Sequence, residues 1–230
     1  MVDVAANYGR ILDCISAAAL KSGRKTQEVR LLAAAKSQSV ALIQAAVAAG
    51  VRLIGENYVQ EAREKKQAIS TPLEWHMIGH LQRNKIKVAV ELFDVIETLD
   101  NAALARELDK EGRKRNRTIR TMIEVNLAGE ESKSGIPKGQ IAALVGAVGE
   151  LSHIRVEGLM TVPPFRESVE EVRPYFREMR ALKEELQRLQ IPNVNLQELS
   201  MGMTHDYAIA VEEGATIVRI GTALFGPRRT

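Results

Sequence analysis

Short apolar runs bounded by polar turns alternate along this chain with longer segments in which apolar residues recur every three or four positions. Eight runs read as strands: residues 31–35, 52–55, 74–78, 94–98, 121–126, 156–160, 195–199 and 216–220. Near-continuous apolar runs are what a parallel sheet covered on both faces requires. Between them, residues 40–49, 57–69, 84–91, 101–112, 138–150 and 172–189 read as helices. In the last of these Val172, Phe176, Met179, Leu182, Leu186 and Leu189 form one apolar stripe opposite a charged face. Ser168 and Glu171 match a capping box, while Pro174 favours a regular helix that starts there. A further amphipathic helix precedes the first strand, with Tyr8, Ile11, Leu12, Ile15 and Ala19 on one face. Residues 129–135 and Pro163-Pro164 read as loops within this alternation, not as linkers. Repeated βαβ units with eight strands predict an α/β fold, a (β/α)8 TIM-type barrel with an extra N-terminal helix and a single domain over residues 1–230. A doubly wound sheet fits less well, because Lys36-Ser37-Gln38-Ser39 after the first strand has no glycine-rich dinucleotide fingerprint.

Composition narrows the function classes. The 230 residues are 45% hydrophobic, with no apolar stretch near the roughly 18 residues of a membrane span. The opening Met1-Val2-Asp3-Val4-Ala5-Ala6-Asn7 lacks the basic and apolar parts of a signal peptide, so a cytoplasmic protein is expected. Cys14 is the single cysteine, which excludes an internal disulfide and a thiolate-rich metal site, and its apolar neighbours suggest burial. The net charge of +3 is mild. Its one concentration is Lys110, Arg113, Lys114, Arg115, Arg117 and Arg120 against Glu111, with no aromatic residue interleaved. Nucleic-acid surfaces add stacking or groove-reading elements, so a solvated helix end is the simpler reading.

The chemistry-bearing residues sit where barrel strands end. Lys36 closes the first strand, and an amine there projects into the barrel mouth, where it can capture an aldehyde. Ser200 and Gly202 follow the seventh predicted strand, and Gly221 and Thr222 follow the eighth. Barrel enzymes frequently bind phosphate between those loops, and small hydroxyl and glycine residues allow close backbone approach. Arg219 lies near the end of the last strand, on a parity that can point inward. A guanidinium there would donate to a pyridine nitrogen without protonating it, whereas a salt bridge to Glu124 or Glu198 is the competing use. An amine nucleophile facing a phosphate cradle points to bound pyridoxal 5'-phosphate.

With these residues in view the chain resembles the pyridoxal phosphate homeostasis protein family, relatives of the N-terminal barrel of alanine racemase. The motifs are Ala34-Ala35-Lys36, residues 55–61, residues 75–85, Lys133-Ser134-Gly135, Gly158-Leu159-Met160, and the segments 200–203 and 219–222. The resemblance implies that Lys36 holds the cofactor as a Schiff base, that Arg219 faces the pyridine nitrogen, and that Ser200, Gly202, Gly221 and Thr222 surround the phosphate. It places Asn57 beside the ring, with Met77 and His80 as looser candidates for the pocket wall. Lys133 is a candidate second amine that accepts or relays the cofactor. The fourth strand ends Glu97-Thr98-Leu99-Asp100 where the family leads one to expect a Ser-Val-Asp ending. Thr204 and Asp206 are expected to cap a following helix, with His205 exposed.

His76 and His80 are four apart but straddle a strand and a turn, and no carboxylate cluster accompanies them, so a metal site is not expected. Glu56 and Glu61 read as solvated or capping residues. A racemase needs a second base, which racemase-like enzymes draw from an additional β domain, and this chain ends at Thr230 just after the barrel closes. The expected function is therefore a carrier for vitamin B6 and amino-acid homeostasis, without robust catalysis, delivering the cofactor to apo-enzymes as a monomer. The alternative is a slow racemase or aldolase using Lys36 with Tyr58, His80 or Lys133 as the further base.

Overall fold

The computed structural model describes residues 2–130 and 133–227. Helix α1 (Val4–Lys21) starts at Asp3, whose carboxylate accepts the Ala6 N–H at 2.9 Å, and buries Val4, Ile11, Ile15, Ala18 and Ala19. Its capped first turn and single apolar stripe explain why it forms and which side it packs. Eight barrel strands follow: β1 (Arg30–Ala34), β2 (Leu53–Glu56), β3 (Glu74–Met77), β4 (Val95–Leu99), β5 (Ile119–Asn126), β7 (Ile154–Met160), β8 (Val194–Met203) and β9 (Ile217–Ile220). A two-residue strand, β6 (Ile136–Pro137), pairs with the end of β5 outside the ring. All pairings are parallel, in the order β4-β3-β2-β1-β9-β8-β7-β5, and the pairing of β4 with β5 closes the barrel.

Helices α2 (Val40–Ala49), α3 (Val59–Ala68), α4 (Ile86–Leu92), α5 (Ala102–Lys114), α6 (Ile141–Gly149) and α7 (Arg173–Arg188) fall on the predicted segments. Two short helices complete the set: α8 (Tyr207–Glu212), the helix expected after Asp206, and α9 (Thr222–Phe225), which that reading did not contain. They are too short to display a helical period. Ser168 makes no side-chain cap; residues 169–171 form a single 3₁₀ turn, and α7 begins at Arg173 with Pro174 in its first turn. The predicted stripe holds through Leu186, but Leu189 falls beyond the helix and is half exposed. Cys14 is partly, not fully, buried.

The barrel interior is layered. Leu32, Leu53, Val95, Met122, Met160 and Ile217 form an apolar inner layer, with Ile78 packed against it. Near the strands' N-terminal ends lies an ion network: Arg30 pairs with Glu74 at 3.2 Å and Glu198 at 2.7 Å, and Arg120 with Glu74 at 2.9 Å and Glu157 at 2.8 Å. The opposite end, where the strands terminate, is open. Strand β8 runs four residues beyond its predicted end, and its register against β9 slips between Ser200 and Met203. This bulge, with Gly202 at φ +93°, breaks the alternation of inward and outward residues at the rim.

Candidate functional site

Lys36, Asn57, Arg219, Gly221 and Thr222 come together at the open end, lining one cavity of about 410 Å³. Ala34, Gln38, Ile78, Val162, Met203, Thr204 and His205 complete its wall. The volume lies in the range of small-ligand pockets, roughly 300–1,000 Å³.

Lys36 is held by its backbone neighbours. The Ala35 carbonyl accepts from Lys65 Nζ at 2.8 Å, and the Ser37 N–H donates to Glu61 Oε2 at 2.9 Å. Lys65 also donates to Glu56 Oε1 at 2.6 Å and to Glu61 Oε2 at 2.7 Å. Glu56 is fully buried, so the expectation of a solvated or capping role for it is corrected. The overlooked partner was Lys65, one helical turn after Glu61 and therefore on the same face. Burial pushes the Glu56 carboxyl above its usual range despite Lys65, whereas Lys65 and the Ser37 N–H hold Glu61 below it. Ser37 itself adopts φ +59°, turning the chain sharply away after Lys36. The ammonium of Lys36 sits 5.4 Å from the centre of the Tyr58 ring.

Arg219 is 4% exposed and donates from Nη1 to the Ser200 carbonyl at 2.6 Å and hydroxyl at 2.8 Å, and from Nη2 to the Thr161 carbonyl at 2.7 Å. Among the described residues it forms no ion pair, so the contemplated bridge to Glu124 or Glu198 is absent. Burial lowers its pKa, opposed by the fields of Glu97, Glu124 and Asp206. Glu124 lies buried nearby with Oε2 unpartnered, and burial together with Asp100 lifts its carboxyl to about 7.

Ser200 and Gly202 are placed elsewhere than expected. Ser200 is fully buried below the cavity, its hydroxyl donating to Glu97 Oε2 at 2.5 Å. A Cβ on Gly202 would lie 2.5 Å from the Ala210 side chain, so that glycine serves the bulge and the seat of α8. The bulge instead turns Met203 and Thr204 to the cavity. Thr204 Oγ1 accepts the Ala223 N–H at 3.3 Å, which leaves its proton free to donate. A glycine inside a strand pattern was the available signal for that bulge. The Asp206 carboxylate takes the Met203 N–H at 2.6 Å and does not cap α8.

Asn57 follows β2 and is held from behind by Gly79, where a Cβ would approach the Asn57 carbonyl to 2.5 Å. Met77 and His80 line a neighbouring cavity of about 310 Å³ that shares Asn57 with the first. His80 is largely exposed, 3.9 Å from Asp100. Lys133 pairs with Glu130 at 3.2 Å and is absent from the cavity wall. His76 is buried inside the barrel with Nδ1 2.6 Å from Glu97; against the effect of burial, Glu74 and Glu97 raise its pKa to about 9, so the protonated ring donates to Glu97. It therefore faces away from His80, and among the described residues no cluster of three metal-ligating groups occurs.

The basic run after residue 110 is taken up by its surroundings. Arg113 pairs with Asp109 at 3.2 Å, Lys114 with Glu111 at 2.6 Å, and Arg115 with Glu111 and Glu91. Arg117 donates to the Val90 and Phe93 carbonyls, and Arg120 belongs to the network inside the barrel. No helix among the described residues is long and apolar enough to cross a membrane.

Comparison with known proteins places this geometry. Residues 16–229 match the family model described as alanine racemase, N-terminal domain. The pyridoxal phosphate homeostasis protein of Aquifex aeolicus is 45% identical over 221 residues, 96% of each chain. That of Escherichia coli K12 is 38% identical over 233 residues, covering 99% of this chain and 98% of the other. The structure of PipY from Synechococcus elongatus PCC7942 with PLP bound superposes with a TM-score of 0.84 at 36% identity, covering 97% of this chain and all of that one. On these grounds the chain belongs to the pyridoxal phosphate homeostasis protein family, built on the alanine racemase N-terminal-domain barrel.

Proposed function

We propose that this protein binds pyridoxal 5'-phosphate in the cavity beside Lys36 and serves the cell's cofactor balance without turning over amino acids at enzymatic rates. The observation that carries the reading is the convergence of Lys36, Arg219, Gly221, Thr222 and Thr204 on one cavity. The donor set fits the group. Arg219 makes three donations to protein, so two of its five N–H groups have no partner among the described residues and can meet a ring acceptor. A Cβ on Gly221 would meet nothing nearer than 3.7 Å, so the missing side chain keeps the cavity floor open beside β1. Thr222 and Thr204 offer hydroxyl donors where a phosphate would sit, in place of Ser200 and Gly202. When bound, the cofactor supplies an aldehyde that an amine captures covalently and reversibly.

Lys36 supplies that amine, and the fixed Ala35 and Ser37 peptides orient it. Arg219 would donate to the ring nitrogen of a bound cofactor and leave it unprotonated. That arrangement would weaken the ring as an electron sink, which favours holding the cofactor over carbanion chemistry. The structure of PipY with PLP bound supports the cofactor reading. Delivery to apo-enzymes, a cytoplasmic location and a monomeric state belong to the same proposal, and Asn57 serves as the ring-side wall. Lys133 is assigned a relay role from its loop beside the end of β5, with Met77 and His80 marking the adjoining space.

The test is near-ultraviolet and visible absorbance of purified protein before and after borohydride, for the native chain and Lys36→Ala. A band that reduction fixes to Lys36 is expected, and it is lost in Lys36→Ala. No band with added pyridoxal phosphate overturns the binding reading. Sustained amino-acid turnover that vanishes in Lys36→Ala overturns the carrier reading in favour of a racemase or aldolase, with Tyr58, His80 or Lys133 as the further base.

A further inference from the structure

A continuous line of buried polar groups leaves the cavity and runs down through the barrel. Arg219 Nη1 donates to Ser200 Oγ at 2.8 Å, Ser200 Oγ donates to Glu97 Oε2 at 2.5 Å, and His76 Nδ1 meets Glu97 Oε1 at 2.6 Å. Beyond it, His76 Nε2 lies 3.5 Å from Glu74, which reaches the ion network of Arg30 and Arg120. Glu97, His76 and Ser200 are each fully buried, and none of them touches the cavity. Placing two charged groups there without access to water carries a desolvation cost that pairing must offset. Apolar residues would fill that space more cheaply.

We propose that Glu97 is a positioning residue for Arg219: by accepting the Ser200 hydroxyl proton it fixes that oxygen as an acceptor and so sets the angle at which the guanidinium meets the ring of a bound cofactor. The argument is one of donor and acceptor count. A serine hydroxyl has one proton and two lone pairs. With its proton committed to Glu97, Ser200 Oγ can only accept from Arg219; with the proton released, the hydroxyl can turn toward Arg219 and oppose it. The Thr161 carbonyl fixes the second arm, so Ser200 and Thr161 together leave the guanidinium one orientation. Glu97 also supplies a negative charge that balances Arg219 in a water-free interior, with His76 compensating on its far side. Replacement by glutamine cannot reproduce this, because an amide accepts at one end and donates at the other, while both Ser200 and protonated His76 require an acceptor.

This inference rests on the cofactor reading above, and its test separates the two. The native chain, Glu97→Gln and Ser200→Ala are each loaded with pyridoxal phosphate, and the dissociation constant and the absorbance maximum of the bound form are measured. Thermal unfolding of the cofactor-free proteins runs alongside. Both variants are expected to hold the cofactor about tenfold more weakly, equivalent to roughly 1.4 kcal/mol, and to shift the band. Ser200→Ala keeps the Glu97–His76 pair intact, so it breaks the line even if Glu97→Gln folds poorly. Affinity within about twofold of the native chain in Ser200→Ala, with an unmoved band, overturns the inference and leaves the line a packing feature. A native chain that shows no bound form overturns the cofactor reading and this inference with it.

Discussion

Removing the Lys65 ammonium isolates a carboxylate in the barrel wall. Lys65 is 6% exposed and Glu56 is 0% exposed; Lys65→Met deletes the 2.6 Å contact to Glu56, the 2.7 Å contact to Glu61 and the 2.8 Å donation to the Ala35 carbonyl. Breaking one side of a buried pair costs about 3–5 kcal/mol, because the remaining charge keeps its desolvation penalty and loses its compensation. In a chain of 230 residues each kcal/mol moves Tm by about 2–4 °C, so a fall of about 6–20 °C is expected at pH 7. The second variant, Lys65→Met with Glu56→Leu, should recover at least half of that loss, since the orphaned charge is gone. Acid should also reduce the loss in the single variant. Its Glu56 has a folded pKa above the unfolded 4.5, so the penalty is absent below that value and grows as pH rises through the folded pKa. Thermal unfolding followed by circular dichroism at pH 5 and pH 7 reads all three effects. A single variant that loses less than about 1 kcal/mol, or a double variant no better than the single, refutes the reasoning.

Three further outcomes are expected. Gly202→Ala should destabilise by about 2–4 kcal/mol in denaturant titration, from the strained φ of +93° plus a 2.5 Å approach to Ala210; a loss below about 1 kcal/mol shows that the bulge relaxes. Glu124→Gln should flatten the pH dependence of stability. The native carboxyl titrates at about 7 when folded and near 4.5 when unfolded, so it contributes fully below 4.5 and that contribution, at most about 3 kcal/mol, disappears as pH rises through 7. The glutamine variant should therefore gain on the native chain at pH 8. His76, raised from 6.5 to about 9, gives the same sign in a later window: its contribution is complete below 6.5 and lost as pH rises through 9. Imidazole titration by NMR in the cofactor-free protein should find one histidine still protonated at pH 8, and its absence overturns the ion-pair reading of Glu97.

The architecture, and the gathering of Lys36, Arg219, Gly221 and Thr222 at one cavity, were legible in the chain before folding. Eight apolar runs separated by helical periods leave few ways to bury both faces of every strand, and residues at strand ends must then gather at one mouth. Lys36, Arg219, Gly221 and Thr222 could be assigned to that mouth because each lies at, or within a residue or two of, a recognisable strand end. Alternation along a strand says which residues share a face, and it assumes that no residue is skipped. At β8 that assumption fails: the bulge at Gly202 sends Ser200 down into the barrel and brings Thr204 up to the cavity. No local pattern records where a strand slips against its neighbour, since the slip is a property of the pair. The same holds for Glu56 with Lys65, and for His76 with Glu97 and Ser200. Each is an ordinary polar residue in sequence: Glu56 acquires its charge state from the packing of α3 on β2, whereas Glu97 and Ser200 meet only because the closed barrel brings β4 and β8 within hydrogen-bond distance.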